Sequence, residues 1–348
     1  MVIEITKDVL ENLYLKDEIE FERLSYLISK NIGENIFALK STQNFIYLNY
    51  QACLFLNEKY ESKELIKYFD NLQGILASVS KLERIVVVLS ASATNKMEIE
   101  YEYELISELL IKPIKVILEN INDKKIYDII IKSYMSYEKN LRINLEYQNG
   151  NGNQTAKTLE ENLQERKISV VITDCDQKYY GEENRSSTPA KIKGVFEKNI
   201  FLCKHIMIEY KNVEGLIPYK FVIENLESKI KTSFDQIYKT SKDKEWLNFF
   251  DFKKGIMKNL KSESGGGIVS SSLSWWNSKI ELDICILEFA NQIETQDIFR
   301  SGIPTSIMEK PMDDIIFKSK SSEEQKKEYR RISSLIYPWI ISNDYVTV

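Results

Sequence analysis

The sequence has one histidine, six prolines, twelve glycines and four cysteines in 348 residues, and each scarcity removes a class of protein. With His205 alone, one chain cannot build a multi-histidine metal site, and a Ser-His-Asp triad has a single candidate base. His205 lies in the apolar stretch FLCKHIMIEY, which suits a structural place at the edge of a strand. Chemistry here must run mainly on carboxylates, lysines, hydroxyls or a bound ion. Glycine and proline together make up about 5% of the chain, where about 12% is average. So few turn residues exclude a sandwich of many short strands and point to a helix-heavy chain. Cys53, Cys175, Cys203 and Cys285 show no CxxC spacing, which argues against a disulfide framework and a zinc site and fits a reducing cytoplasm. The longest apolar runs, such as Ile85–Leu89 and Val170–Ile172, are far below the roughly 18 residues of a membrane span. MVIEITKDVLENLYLKDEIE turns acidic early and has no apolar core segment, so neither a signal peptide nor a transit peptide is expected.

What remains is 43% apolar and 28% charged, with a net charge of −5, enough to fold into two or three packed units. Residues 5–80 carry helical spacing, with an ambiguous stretch, NIFALKSTQNFIYLNYQACLFL, that could hold a strand. ERIVVVLSAS has the β-branched composition of a strand. KMEIEYEYELISELL alternates and then turns helical. KPIKVILEN (112–120) reads as a strand, DKKIYDIIIKSYMSY (123–137) as an amphipathic helix, and YQNGNGNQ (147–154) as a flexible loop. TAKTLEENLQERK is then a helix, ISVVITDCD (168–176) a strand, and KHIMIEYKNVEGLIP (204–218) another strand. This alternation predicts an α/β fold, a central parallel sheet flanked by helices. From 220 onward the pattern is mostly helical, broken by the loop SESGGGIVSSS (262–272) and ending in the charged helix SSEEQKKEYRRISSLIYPWI.

Three of these strands finish on acids: Glu119 with Asp123 four residues on, Asp174 with Asp176, and Glu209 with Glu214. Loops at the carboxyl ends of parallel strands converge on one crevice. Acids at i, i+2 across a strand end point to the same side, so the spacing can gather five or six oxygens. Clustered carboxylates repel, and a divalent cation or protons offset the cost. Hard oxygen ligands suit Mg²⁺ or Mn²⁺.

VILENINDKKIYDIIIK followed about fifty residues later by VVITDCDQ resembles the TOPRIM domain of topoisomerases, primases and OLD-like nucleases, including those of bacterial antiphage defence. EYKNVEGLIP resembles a third acidic segment of the defence nucleases. The resemblance covers roughly residues 112–225. It implies a metal-dependent nuclease binding one or two Mg²⁺ (or Mn²⁺). Glu119 matches the general acid/base or metal ligand, Asp123 the second acid, and Asp174 and Asp176 the D-x-D ligands. Glu209 and Glu214 match the third region less closely. Lys253 or Lys254, in EWLNFFDFKKGIMKNL, corresponds to a lysine near the metals that contacts the scissile phosphate, beside the bland alternative of a solvated helix end.

The organisation expected is a mostly helical N-terminal region over 1–110 with one or two strands, a TOPRIM-like metal-binding domain over 111–225, and a helical C-terminal region over 226–348. Phosphate contacts dominate nucleic-acid affinity and need a basic surface, whereas this chain is acidic overall. Local basic clusters stand at Lys124 and Lys125, Lys253 and Lys254, and Lys326 to Arg331. That balance suits a cytoplasmic nuclease licensed by a partner. The resemblance extends this to the toxic effector of an antiphage system, acting on DNA or RNA (tRNA included) beside a regulatory partner such as a sensor ATPase. Homo-oligomerisation stays open, and no membrane is involved. The alternatives are a degenerate TOPRIM binding or regulatory subunit, and primase-like nucleotidyl transfer, which the missing paired CxxC disfavours. Trp275 and Trp276 could stack on bases, but core packing of at least one is the stronger expectation. With Trp246 and Trp339 they also supply aromatic anchors for an interface.

Overall fold

A computed structural model describes residues 2–32, 45–60, 84–88, 98–100, 113–135, 141–143, 145–165, 167–182, 187–197, 202–226, 231, 235, 238–239, 241, 244–252, 269–280 and 311–343. Two four-stranded sheets organise these residues. The first contains β1 (Val2–Ile5), β2 (Phe45–Leu48), β3 (Arg84–Val88) and β4 (Glu98–Glu100), all parallel, in the order β2-β1-β3-β4. Helices α1 (Lys7–Lys16), α2 (Glu18–Ile32) and α3 (Tyr50–Tyr60) accompany it. The expectation of one or two strands in this region is therefore corrected. β1 is only four residues long, too short to break the helical periodicity around it, whereas β2 falls in the stretch that could hold a strand.

The second sheet is the central one. It contains β5 (Ile114–Leu118), β7 (Leu145–Asn149), β8 (Ser169–Thr173) and β9 (Cys203–Met207), all parallel, in the order β7-β5-β8-β9. β6 (Leu141–Ile143) pairs antiparallel with β10 (Ile341–Asn343). β8 is buried at every position, and β5 at all but one, because helices cover both faces. That explains why both read as continuous apolar runs rather than as alternating ones.

Side-chain alternation divides the sheet's contacts between two cores. Val116, Leu118, Val170, Ile172 and Ile206 meet Ile126 and Ile130 of α4 (Lys124–Met135) and Ile332 and Ile336 of α11 (Glu323–Ile340). Ile117, Val171 and Cys203 meet Leu159 of α5 (Thr155–Gln164) and Ile192 of α6 (Thr188–Phe196). Each fully buried aliphatic contributes about 1.5–3 kcal/mol, so these two layers fix the sheet between its helices. Further helices among the described residues are α7 (Tyr219–Asn225), α8 (Trp246–Phe249), α9 (Ser270–Lys279) and α10 (Asp314–Lys320).

Two boundaries differ from expectation. The third predicted strand, 204–218, is a strand only as far as Met207; a loop and a 3-10 turn, Val213–Leu216, follow. The tract 147–154 is tied down rather than flexible. It closes β7, the amide of Gly150 donates to the Leu118 carbonyl at 2.7 Å, and the amide of Gly152 donates to the Glu119 carbonyl at 2.9 Å. A Cβ at Gly150 would lie 2.5 Å from Thr155 Oγ1 and 2.9 Å from the Leu118 carbonyl oxygen, so only glycine allows this approach. Asn151 takes a left-handed conformation, φ 56°, which asparagine tolerates.

Candidate functional site

In the order β7-β5-β8-β9, the chain leaves β5 towards one side of the sheet and β8 towards the other. The crevice between their carboxyl ends is the switch point where open α/β sheets bind ligands. Leu118 pairs with Ile172, so Glu119, one residue on, and Asp174, two residues on and just past the strand end at Thr173, open onto this crevice. The amide of Asp174 donates to Glu119 Oε1 at 3.1 Å. Asp123 closes the 3-10 turn Ile121–Asp123 that leads into α4, and the Asn120 side chain accepts from the Asn122 amide to start that turn. β8 and β9 stay paired beyond their ends: the amides of Cys175 and Asp176 donate to the carbonyls of Tyr210 and Lys211 at 3.1 and 3.3 Å. Asp176 sits there at φ 56°, a left-handed conformation that its short side chain permits. Glu214 is buried in the Val213–Leu216 turn.

The electrostatics of Asp174 show what these elements bring together. Asp174 is half-buried, and desolvation of its carboxyl holds its pKa well above the usual carboxylate value. The negative charges of Glu119, Glu214, Asp123 and Asp176 raise it further. Tyr127, buried on α4, reports the same concentration of charge. Its hydroxyl is pushed up first by burial and then by Asp174, Asp123 and Glu119. Five of the six predicted acids thus bear on one locus. The donor set is all hard oxygen and suits a divalent cation in kind. Among the described residues, however, no three His, Cys, Asp or Glu side chains form a group that could hold a metal ion as placed.

Glu209 departs from the prediction. Its amide donates to Glu328 Oε1 at 2.9 Å, and its own Oε1 lies 3.4 Å from Arg331 Nε. The chain alternates here, with Ile208 and Tyr210 buried and Glu209 exposed, so Glu209 emerges beside α11 and not over the crevice. Lys253 and Lys254 lie outside the described residues, as does most of the loop over 262–272. Ser270 to Ser272 of that loop already belong to α9.

Two lysines that the sequence reading passed over stand beside the acids instead. Lys178 and Lys211 are each 8% exposed. Lys178 Nζ is 3.9 Å from Glu182 Oε1. Burial lowers the Lys211 pKa from its usual value, while the charges of Asp251, Glu182 and Asp176 act in the opposite direction. Neighbouring Asn212 Nδ2 donates to Asp251 Oδ1 at 3.5 Å. Both lysines sit inside the acidic segments already singled out, in TDCDQK and EYKNVEG, and that position was the available signal.

The tryptophans serve mainly as structure. Trp276 is fully buried, and its Nε1 donates to the Lys178 carbonyl at 3.1 Å, fixing the loop after Asp176. Trp276 thus takes the core role that is the stronger expectation for at least one of Trp275 and Trp276. Trp246 and Trp339 are also buried. Partly buried Trp275 packs edge-on against Phe249, ring centroids 5.0 Å apart. His205 lies in β9, the outer strand of the central sheet, with Nε2 2.9 Å from Thr173 Oγ1.

Helix α11 secures the turn that carries Glu214. Ser322 Oγ accepts from the Gln325 amide at 3.1 Å, and Gln325 Oε1 accepts from the Ser322 amide at 3.2 Å. This reciprocal pair is a capping box. The same fully buried Gln325 reaches outward, accepting from the Tyr219 amide at 3.2 Å and donating to the Gly215 and Ile217 carbonyls at 3.0 and 2.6 Å. Tyr329 donates its hydroxyl to the Leu216 carbonyl at 2.6 Å.

Among the described residues no helix is long and apolar enough to cross a membrane. No family model matches the chain, and neither a curated protein nor a solved structure matches it.

Proposed function

We propose that the chain is a metal-dependent nuclease whose working acids are Glu119, Asp123, Asp174, Asp176 and Glu214. One observation carries this reading: three strand ends of the sheet deliver five carboxylates, four of which bear on the fifth, Asp174. Burying like charges together costs stability, and such groups concentrate where chemistry or ion binding requires them. The motif resemblance supports the same assignment, and adds the role of an antiphage effector licensed by a protein partner.

In this reading Asp174, Asp176 and Glu119 hold Mg²⁺ or Mn²⁺, with Asp123 and Glu214 completing the negative field. A bound ion of this type supplies Lewis-acid stabilisation of a phosphodiester and an activated water. Glu119, hydrogen-bonded to the Asp174 amide, is held where it can take a proton from an attacking water. Lys211 offers an ammonium beside Asp176 to steady the charge developing on phosphate oxygens. Lys178, anchored through Trp276 at its carbonyl, shapes the wall on that side.

One observation favours a second reading, a catalytically degenerate binding or regulatory subunit: no three of the described acids stand as a metal-holding group. The deciding experiment incubates purified protein with plasmid DNA and bulk tRNA in Mg²⁺, Mn²⁺ or EDTA, with Glu119→Ala and Asp174→Ala in parallel. Metal-dependent cutting that disappears in both variants supports the nuclease. Absence of cutting, together with no Mg²⁺ uptake by calorimetry, supports the degenerate subunit.

A further inference from the structure

Beside the acids, the surface carries an open cleft of about 450 Å³, within the range of small-ligand sites. It begins in the turn that ends at Asp123, since Ile121 and Asn122 line it, and it runs along α4 as far as Lys132. Its walls differ in character. Lys124, Lys125 and Lys132 contribute three ammonium groups, while Ile121, Ile129 and Met312 form an apolar floor. The single lining carboxylate, Asp128, accepts a hydrogen bond from the Tyr147 hydroxyl at 2.9 Å. Lys124 stands over the Tyr147 ring, 5.2 Å from its centroid, so one ammonium is oriented by a cation–π contact.

A site with three cations above an apolar floor suits a ligand that is anionic on one side and flat and apolar on the other. A phosphate alone would leave the floor unused, and a lipid chain would outrun the cleft. A nucleotide within a strand satisfies both walls, with its phosphates among the ammonium groups and its base on the isoleucines and methionine. The base must be unpaired to reach the floor. We infer that this cleft binds a nucleotide of a single-stranded nucleic-acid segment adjacent to the acidic crevice, and so delivers the neighbouring phosphodiester to it. The inference rests on the nuclease reading for its purpose, although binding itself can be measured without cleavage. It also explains how a chain of net charge −5 meets a polyanion: the positive charge is local and sits next to the acids.

The test is fluorescence anisotropy with a labelled 20-nucleotide single strand and the matching duplex, in EDTA, across 50–200 mM salt. The proteins are wild type, the triple variant Lys124→Ala/Lys125→Ala/Lys132→Ala, and a control, Lys157→Ala/Lys191→Ala/Lys193→Ala, altered on the opposite face of the sheet. Melting temperatures confirm folding in each. The cleft variant should bind single strand at least tenfold more weakly. Its log-affinity against log-salt slope should be shallower by about 2, since each single-strand phosphate contact contributes about 0.7. The control should match wild type. Equal binding by wild type and cleft variant overturns the inference, as does equal weakening in the control, a preference for duplex, or no binding by wild type. Glu119→Ala binds like wild type in EDTA if the cleft acts alone. A protein that binds here but cuts nothing under any metal refutes the nuclease and leaves the cleft standing.

Discussion

The Asp174 amide and the Glu119 carboxylate meet at 3.1 Å although 55 residues separate them in the chain. This hydrogen bond spans the crevice between β5 and β8, fixing the Glu119 carboxylate over the start of the D-x-D segment. It also places a second negative charge beside Asp174, whose own carboxyl is already disfavoured as an anion by burial. The fold holds these groups together against their repulsion.

Relieving that repulsion should stabilise the metal-free protein. Asp174→Asn removes one half-buried carboxyl at similar volume, and in EDTA it should gain on the order of 1 kcal/mol, a rise of roughly 1–2 °C in melting temperature for a chain of this length. Millimolar Mg²⁺ or Mn²⁺ should raise the melting temperature of wild type, because ligand binding to the native state alone raises stability, and the same change should abolish that shift. Scanning calorimetry with and without metal reads both effects. A variant less stable in EDTA, yet still stabilised by Mg²⁺, would show that Asp174 is neither crowded nor a ligand.

Gln325 should matter to the site from a distance. Gln325→Ala strands the Gly215 and Ile217 carbonyls and the Tyr219 amide, at a cost of about 2–4 kcal/mol for several buried groups left unmet. Metal affinity measured by calorimetry should fall as well, since the Glu214 turn loses its brace. Tyr329→Phe, which removes the bond to the Leu216 carbonyl and the one accepted from the Ser321 hydroxyl, should lose about 1–2 kcal/mol and little affinity. Ile336→Val, a core change of similar cost, should leave affinity untouched. If all three variants show equal affinities, α11 merely supports the fold.

His205 gives the stability a pH dependence of definite sign. Burial lowers its pKa from 6.5 to about 4, so as pH falls the unfolded chain takes up the proton first. The stability gained by keeping the ring neutral is fully present above pH 6.5 and is lost progressively towards pH 4, with a ceiling of about 3 kcal/mol. His205→Gln, which can keep a hydrogen bond to Thr173, should therefore show a smaller difference between its urea midpoints at pH 7 and pH 4.5 than wild type does. Identical differences in the two proteins would mean that His205 titrates normally.

The central sheet was legible because β5 and β8 are covered on both faces, which writes an uninterrupted apolar run into VILEN and VVITDCD. α4 announced itself by helical spacing for the opposite reason, since only one of its faces is buried and lysines occupy the other. β1 was hidden, since four residues carry too little pattern beside a helix of ten, and β2 was only one option within an ambiguous stretch. The acids of the first two strand ends could be placed from order alone. Glu209 could not, because its partner Arg331 arrives from more than a hundred residues away. Lys211 escaped notice for a similar reason: the Asp251 and Glu182 charges around it come together only in three dimensions. Asparagine and glycine composition made 147–154 look loose, while its amides in fact close onto Leu118 and Glu119.

The brace formed by α11 also sets an order of assembly during synthesis. Gln325 follows Gly215 by 110 residues, and translation at about 5–20 residues per second separates them by roughly 5–20 s. Throughout that interval the Glu214 turn has left the ribosome without the glutamine and tyrosine that pin it. The acidic crevice therefore reaches its final form only after α11 has been made, when the growing chain is already well advanced along its message.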